Sequence, residues 1–228
     1  MNKGRLAVAA VLAGLSLPVP SSGVLTKPLV ASWLDAQGRV WATPGEGSPW
    51  VRLEGVDQAR ATATSSGLVF MVDDAGRVLQ WSGGGRGARR ISGIADGRKL
   101  SCGPGHCLSL TSDGSVYQWS ARATEATRVA GLEEVVEIAA GSDHSLAVTE
   151  TGEVFGWGQN DSGQLGQVGA ASSAPLQVDG LSEAISVGAG SRTSVALLRS
   201  GEVVVWGRND LGQLGLNRAP VLAPTAIP

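Results

Sequence analysis

A glycine, any residue and then a valine recur at Gly38, Gly76, Gly114, Gly152 and Gly201, spaced by 38, 38, 38 and 49 residues. A fixed period near 40 confines a chain to a repeat architecture. Each unit is one supersecondary motif that cannot bury its apolar face alone and must stack on a neighbour. The register extends beyond the anchor. Trp81, Trp119, Trp157 and Trp206 stand five residues after it, whereas the first unit has Thr43 there and carries Trp41 instead. His106 and His144 share one offset before the anchor, as do Gly103, Gly141 and Gly190. The one long interval is taken up by an insertion at Gln159–Gly169.

Within a unit the pattern is that of strands. From Ile138 to Trp157 the apolar residues alternate with period 2, and glycines fall where the chain must reverse. Asp113-Gly114, Thr151-Gly152 and Ser200-Gly201 signal two-residue hairpins. No window of 24–228 sustains helical periodicity, so the repeat domain is expected to be all-β. Its 33 glycines sit at fixed offsets and serve as turn chemistry, not as a mark of disorder.

The phrase Gly141-Ser-Asp-His-Ser-Leu-Ala-Val, followed by Gly152-Glu-Val-Phe-Gly-Trp-Gly-Gln-Asn-Asp-Ser-Gly-Gln-Leu-Gly166, resembles the repeat of the regulator of chromosome condensation family. Gly201–Gly215 repeats its second half, while the first three units lack the Asn-x-x-Gly-Gln-Leu-Gly segment. The resemblance implies a β-propeller, here of about five blades. Pro224–Ile227 aligns with Pro175–Val178 as an outer-type strand, and Val24–Lys27 aligns with the inner strand Ile138–Gly141. The segment at Ile227 is therefore expected to pair with the N-terminal strands and close the ring through a composite blade, which would remove two sheet edges. The alternative is an open arc that forms a homodimer.

Residues 1–23 read as a secretory signal peptide: Lys3 and Arg5 precede an apolar run from Leu6 to Val19, too short for a comfortable membrane span. The repeat domain is then 24–228, secreted or periplasmic, with no membrane association after cleavage. A net charge of −2 supplies no basic field for nucleic acid.

Candidate chemistry is sparse. His106 and His144, one repeat apart, are read as structural, and no Cys, His or carboxylate cluster accompanies them as metal ligands. No nucleophile elbow, phosphate loop or zinc-protease motif is present, so no cofactor and no enzymatic activity are expected. Cys102 and Cys107 bracket a tight reversal and form either a small-loop disulfide or two buried thiols. The repeated tryptophans are assigned to packing between blades. Trp41 and Trp50 break the repeat pattern, and with the cationic stretch holding Arg86, Arg89 and Arg90 they are the candidates for binding a protein partner. The functional expectation is a secreted, non-catalytic protein-interaction module. The alternative, implied by the resemblance to secreted bacterial members, is an enzyme inhibitor of the β-lactamase-inhibitory type. Guanine-nucleotide exchange, the activity that names the family, is disfavoured by the export signal.

Overall fold

The fold follows from how each hairpin ends. In a computed structural model describing residues 31–43, 48–56, 58–82 and 87–227, strands form five antiparallel sheets, with no helix among the described residues. Blade one comprises β1 (Ala31–Leu34), β2 (Val40–Thr43) and β3 (Val51–Arg52). Blade two comprises β4 (Ala61–Ser65), β5 (Leu68–Val72), β6 (Val78–Trp81) and β7 (Ala88–Arg90). Blade three runs through β8 (Gly97–Cys102), β9 (His106–Thr111), β10 (Val116–Ser120) and β11 (Thr127–Arg128). Blade four runs through β12 (Val135–Ala140), β13 (His144–Thr149), β14 (Val154–Gly158) and β15 (Ser172–Gln177). Blade five ends the series with β16 (Ala184–Ala189), β17 (Thr193–Leu198), β18 (Val203–Gly207) and β19 (Val221–Ala226). Residues 1–23, read from the sequence as a signal peptide, and the segment Val24–Lys27 lie outside the described residues.

The anchor glycine serves three purposes. It closes the hairpin, with Gly152 N–H donating to Thr149 O at 2.9 Å and a φ of +85° that disfavours any side chain. Thr149 N–H in turn donates to Glu153 O, so the loop spans three residues and not the two read from the sequence. The second purpose is close approach. A Cβ at Gly38, Gly76, Gly114 or Gly152 would lie 2.6–3.0 Å from the Cα of Gln58, Asp96, Glu134 or Glu183, where the chain enters the next blade. Third, its carbonyl accepts an N–H at the entry to the next inner strand: from Ala59 at Gly38, Gly97 at Gly76, Val135 at Gly114 and Ala184 at Gly152. The valine two positions on is then sealed between blades. Val40, Val78, Val116 and Val154 are each 0% exposed.

Four apolar clusters fill the four seams between five consecutive blades. The seam of blades three and four shows the construction. Leu108, Leu110 and Val116 on one side meet Ile138, Ala147 and Trp157 on the other.

Among the described residues, the composite blade expected at the ends does not form. The outer strand of each blade pairs with the strand just before it, so β19 pairs with β18 through Val204↔Ala226 and Val205↔Thr225. Ile227 N–H donates to Val203 O, within the same blade and not to the N-terminal strands. Blade one has its own outer strand, β3, paired to β2. The reason is local: the connector after each tryptophan strand reverses direction and returns antiparallel to it, which completes the blade before the next begins.

Since a buried valine contributes about 1.5–3 kcal/mol, Val154→Ala should lower unfolding free energy by about 2 kcal/mol. Val168→Ala, at a site 80% exposed, should change it by less than about 0.5 kcal/mol. Urea denaturation of the two variants checks this.

Candidate functional site

The repeated tryptophans pack into the seams, as their shared offset requires. Trp157 is in the cluster between blades three and four, and Trp206 in the one between blades four and five. Their indole N–H groups find different partners. Trp206 donates to the backbone carbonyl of Gln164 at 2.8 Å, whereas Trp157 donates to the side-chain Oε1 of Gln118 at 2.9 Å. In the preceding seam the matching Gln80 is diverted. Its Oε1 accepts from Arg89 and its Nε2 donates to Ala121 O, and Trp119 Nε1 is left buried without a hydrogen-bond partner.

The two histidines each bridge a seam. His106 Nε2 lies 2.7 Å from Ser145 Oγ, and His144 Nε2 lies 2.9 Å from Ser194 Oγ. These pairs have the spacing of a catalytic dyad, but the second one fixes the direction of donation. Ser194 Oγ donates to Gln164 O at 2.8 Å, so it accepts from the imidazole and is not deprotonated by it. Burial, with the neighbouring His106 ring adding to it and Asp143 opposing, pushes His144 down to about 4. Burial likewise lowers His106, against the attraction of Asp143. Both rings are neutral at physiological pH.

Above the His106–Ser145 pair the seam opens into a cleft of about 550 Å³. Its walls are Gln118, Glu125 and Thr127 from blade three, and Asp143, Ser172 and Ser173 from blade four, with Gly105 and Gly158 bare at its mouth. No lysine or arginine lines it.

The cleft exists because of a difference between connectors. Six residues join β10 to β11, whereas thirteen join β14 to β15. The longer connector carries the Asn-Asp-Ser-Gly-Gln-Leu-Gly segment and folds it into the next seam. Asn160 Oδ1 accepts from Leu165 N–H, Asn160 Nδ2 donates to Gln167 O, and Leu165 is fully buried. The Gln164 carbonyl there receives both Trp206 and Ser194. Blade three has no such segment, so the equivalent space beside Trp157 and Ser145 stays open.

The residues singled out from the sequence fall into separate places. Cys102 and Cys107 face each other in the β8–β9 register and are joined by a disulfide. Trp41 and Trp50 both meet Trp33, one stacked at 6.0 Å and one edge-on at 6.5 Å, forming a half-buried aromatic cluster on blade one. Trp41 also donates to Asp35 at 3.0 Å. Burial pushes Asp35 up, but this indole and the Arg39 and Gln37 donors outweigh it and hold the carboxyl at about 2. Arg89 and Arg90 lie exposed on β7 of blade two, apart from the aromatic cluster in chain and blade, and Arg86 is outside the described residues. Asp143, Glu125 and Gln118 were not anticipated as a site. Their one linear trace is that the connector after Trp119 is short where the one after Trp157 is long. Among the described residues, no three His, Cys, Asp or Glu side chains are placed to hold a metal ion.

Sheets of this form, stacked through their inner strands, define a β-propeller. Residues 135–164 and 184–213 match the regulator of chromosome condensation (RCC1) repeat, and a second description of that repeat matches 151–197. The fourth and fifth blades thus match the RCC1 repeat, and the fold is that of an RCC1-type propeller. Yeast RCC1 (Prp20) in its complex with Kap60 superposes with a TM-score of 0.71 at 21% identity, over 84% of this chain and 57% of that one. Prp20p from Saccharomyces cerevisiae, studied for its binding to Gsp1p and histones, gives 0.71 and 21% over 84% and 59%. Human WBSCR16 gives 0.70 and 21% over 91% and 65%. The chain therefore spans less than two thirds of the length of these structures. No curated protein matches it in sequence.

The histidine geometry carries a pH dependence with a definite sign. The unfolded ring of His144 takes a proton near 6.5, and the folded ring resists until about 4. Its contribution is complete above pH 6.5 and is lost as the pH falls towards 4, by up to about 3 kcal/mol. The melting temperature should drop across that window, and His144→Gln should show a shallower drop. Thermal denaturation at a series of pH values compares the two.

Proposed function

We propose that the chain is an exported, non-catalytic protein-interaction module that engages its partner through the cleft between blades three and four. The observation that carries this is the comparison of two seams. Where blade four inserts Gln164–Leu165, it presents a carbonyl to a serine and an indole; where blade three inserts nothing, Ser145 and the Gln118 amide face an open, acidic cleft. A peptide loop of a partner fits that space: a backbone carbonyl in the role of Gln164 O, and a lysine or arginine between Asp143 and Glu125. With His106 neutral, the cleft's charge comes from those two carboxylates.

Several features support the wider reading. Yeast RCC1 is a protein-binding propeller in its complex with Kap60. The serine–histidine pair recurs in two seams, and in the second the hydroxyl proton is committed to Gln164 O, which supports a structural role for the pair. The basic and apolar N-terminal run and the Cys102–Cys107 disulfide both suit an oxidising compartment outside the cytosol. An inhibitor is the narrower form of the same reading, in which the captured partner is a hydrolase such as a β-lactamase and loses turnover on binding.

The test is capture of extracellular proteins by the exported chain, followed by calorimetry with the identified partner. Replacing Glu125 by Gln together with Asp143 by Asn should weaken binding at least about tenfold, the scale expected for truncating a charged contact in a concave site. Arg218→Ala, on an exposed connector of blade five, should leave it unchanged. Equal affinity of the cleft variant and the parent would rule the cleft out. Arms with a β-lactamase and with a small GTPase distinguish inhibition and nucleotide exchange from binding alone.

A further inference from the structure

The seam between blades two and three contains a buried donor that its neighbours satisfy and it does not. Trp206 gives its indole N–H to the carbonyl of Gln164, and Trp157 gives its own to Oε1 of Gln118. Trp119 holds the same place in its seam, is 4% exposed, and has no partner for Nε1. An indole nitrogen donates and cannot accept, so leaving it unpaired in a dry seam costs its hydration with nothing in return. Yet a suitable acceptor is at hand. Gln80 precedes Trp119 by the same 39 residues that separate Gln118 from Trp157.

The difference lies in the outer strands. Gln118 faces Thr127 in the β10–β11 register, whereas Gln80 faces Arg89 in the β6–β7 register. Arg89 Nη2 donates to Gln80 Oε1 at 2.8 Å, and Gln80 Nε2 donates to Ala121 O at 3.3 Å. A guanidinium only donates and a carbonyl only accepts, so these two contacts fix which way the amide points. The oxygen that the next seam gives to its indole is here turned to an arginine. Gln80 is 5% exposed, while Arg89 is exposed. Among the described residues no carboxylate pairs with Arg89, and its positive charge faces a neutral amide.

A carboxylate is a stronger partner for that guanidinium, since it accepts two parallel charge-assisted N–H bonds. Once Arg89 is drawn to it, Gln80 Oε1 is free for Trp119 Nε1, the arrangement already present at Gln118 and Trp157. Binding outside thereby satisfies a donor inside, and this differential contact is what lets a ligand shift the amide between two positions. β7 is also the edge strand of its sheet. An extended peptide can hydrogen-bond to such an edge while setting a side chain on Arg89, which a free anion cannot do.

We propose that Arg89 anchors a binding site for an extended acidic peptide segment of a partner, and that filling this site passes the Gln80 amide oxygen from Arg89 to Trp119. The site is separate from the cleft, takes ligands of the opposite charge, and does not depend on the cleft reading.

Nuclear magnetic resonance of the chain with ¹⁵N-labelled indoles tests this, the Trp119 signal being identified by its loss in Trp119→Phe. Titration with an octaglutamate peptide should move that N–H signal downfield, as a newly bonded donor moves, until the peptide saturates. Arg89→Thr gives blade two the register of blade three. Its Trp119 signal should lie downfield of the parent's before any peptide is added, and its peptide affinity should fall at least about tenfold. Gln80→Met should still bind the peptide while Trp119 stays upfield throughout. Circular dichroism confirms that the variants are folded; Arg89→Ala and Gln80→Leu replace any that is not. A Trp119 signal unmoved both in Arg89→Thr and in the peptide-saturated parent would overturn the exchange at Gln80. Equal peptide affinity of Arg89→Thr and the parent, or binding by neither, would overturn the site. Inorganic phosphate that moves the indole as readily as the peptide would overturn the peptide assignment.

Discussion

The contact on which the rest of the structure depends is the hydrogen bond from a backbone N–H at the entry to the inner strand of one blade to the anchor-glycine carbonyl of the blade before. It occurs at Gly38, Gly76, Gly114 and Gly152, each time where a side chain would collide with the incoming backbone. A single glycine therefore ends a hairpin, admits the neighbouring chain and satisfies its first donor. The incoming chain bends to suit: Gln58, Glu134 and Glu183 take positive φ values of 62°, 52° and 60° at these junctions. Strain of that size in a residue with a Cβ persists only when its surroundings over-determine it. The seam supplies that constraint.

From this follows the distribution of stability. A four-stranded blade has two apolar faces and no interior, so nearly all of its burial is shared with neighbours. The clusters lie between blades, one for each consecutive pair. Polar groups near the axis follow the same rule. His106 reaches Ser145, His144 reaches Ser194, and Ala140 N–H donates to Ser101 Oγ, each across a seam. Gly103 is forced by the same closeness, since a Cβ there would overlap the carbonyl of Gly141. Losing one seam contact should thus weaken two blades together, as nearest-neighbour coupling in a repeat array requires.

How much of this was legible in the sequence depends on whether a residue's job repeats. The anchors at Gly38 to Gly201 and the tryptophans at Trp81 to Trp206 could be read directly, because each performs the same steric task in every blade. Strand pairing at the ends could not. A periodic pattern fixes where an outer strand recurs but not whether it completes the unit before it or begins the one after. That ambiguity led to the expectation that the Ile227 segment would join the N-terminal strands, whereas β19 pairs with β18. The hairpin loops were read one residue short for a related reason, since a glycine marks the left-handed position without counting the residues before it. The cleft was the least visible feature. Gln118, Glu125, Asp143 and Ser172 come from separate segments, and what unites them is a connector too short to fill a space that its neighbour fills.

That last point bears on where function can arise in such an array. Repetition makes most local chemistry ambiguous: a serine beside a histidine in a single fold invites a catalytic reading, but the same pair in the next seam, with its hydroxyl proton committed to Gln164 O, is a fastening. What identifies a site is a departure from the repeat that the fold itself does not require. Blade three departs by omission. It leaves Trp157 to bond a side chain, Gln118, where Trp206 bonds a backbone carbonyl, and it leaves Ser145 without the acceptor that Ser194 has. Filling this space with a short chain segment would restore the arrangement already found one seam further on. The proposed peptide partner rests on this likeness between seams, since Gln164 O supplies to Ser194 and Trp206 the kind of acceptor that Ser145 lacks.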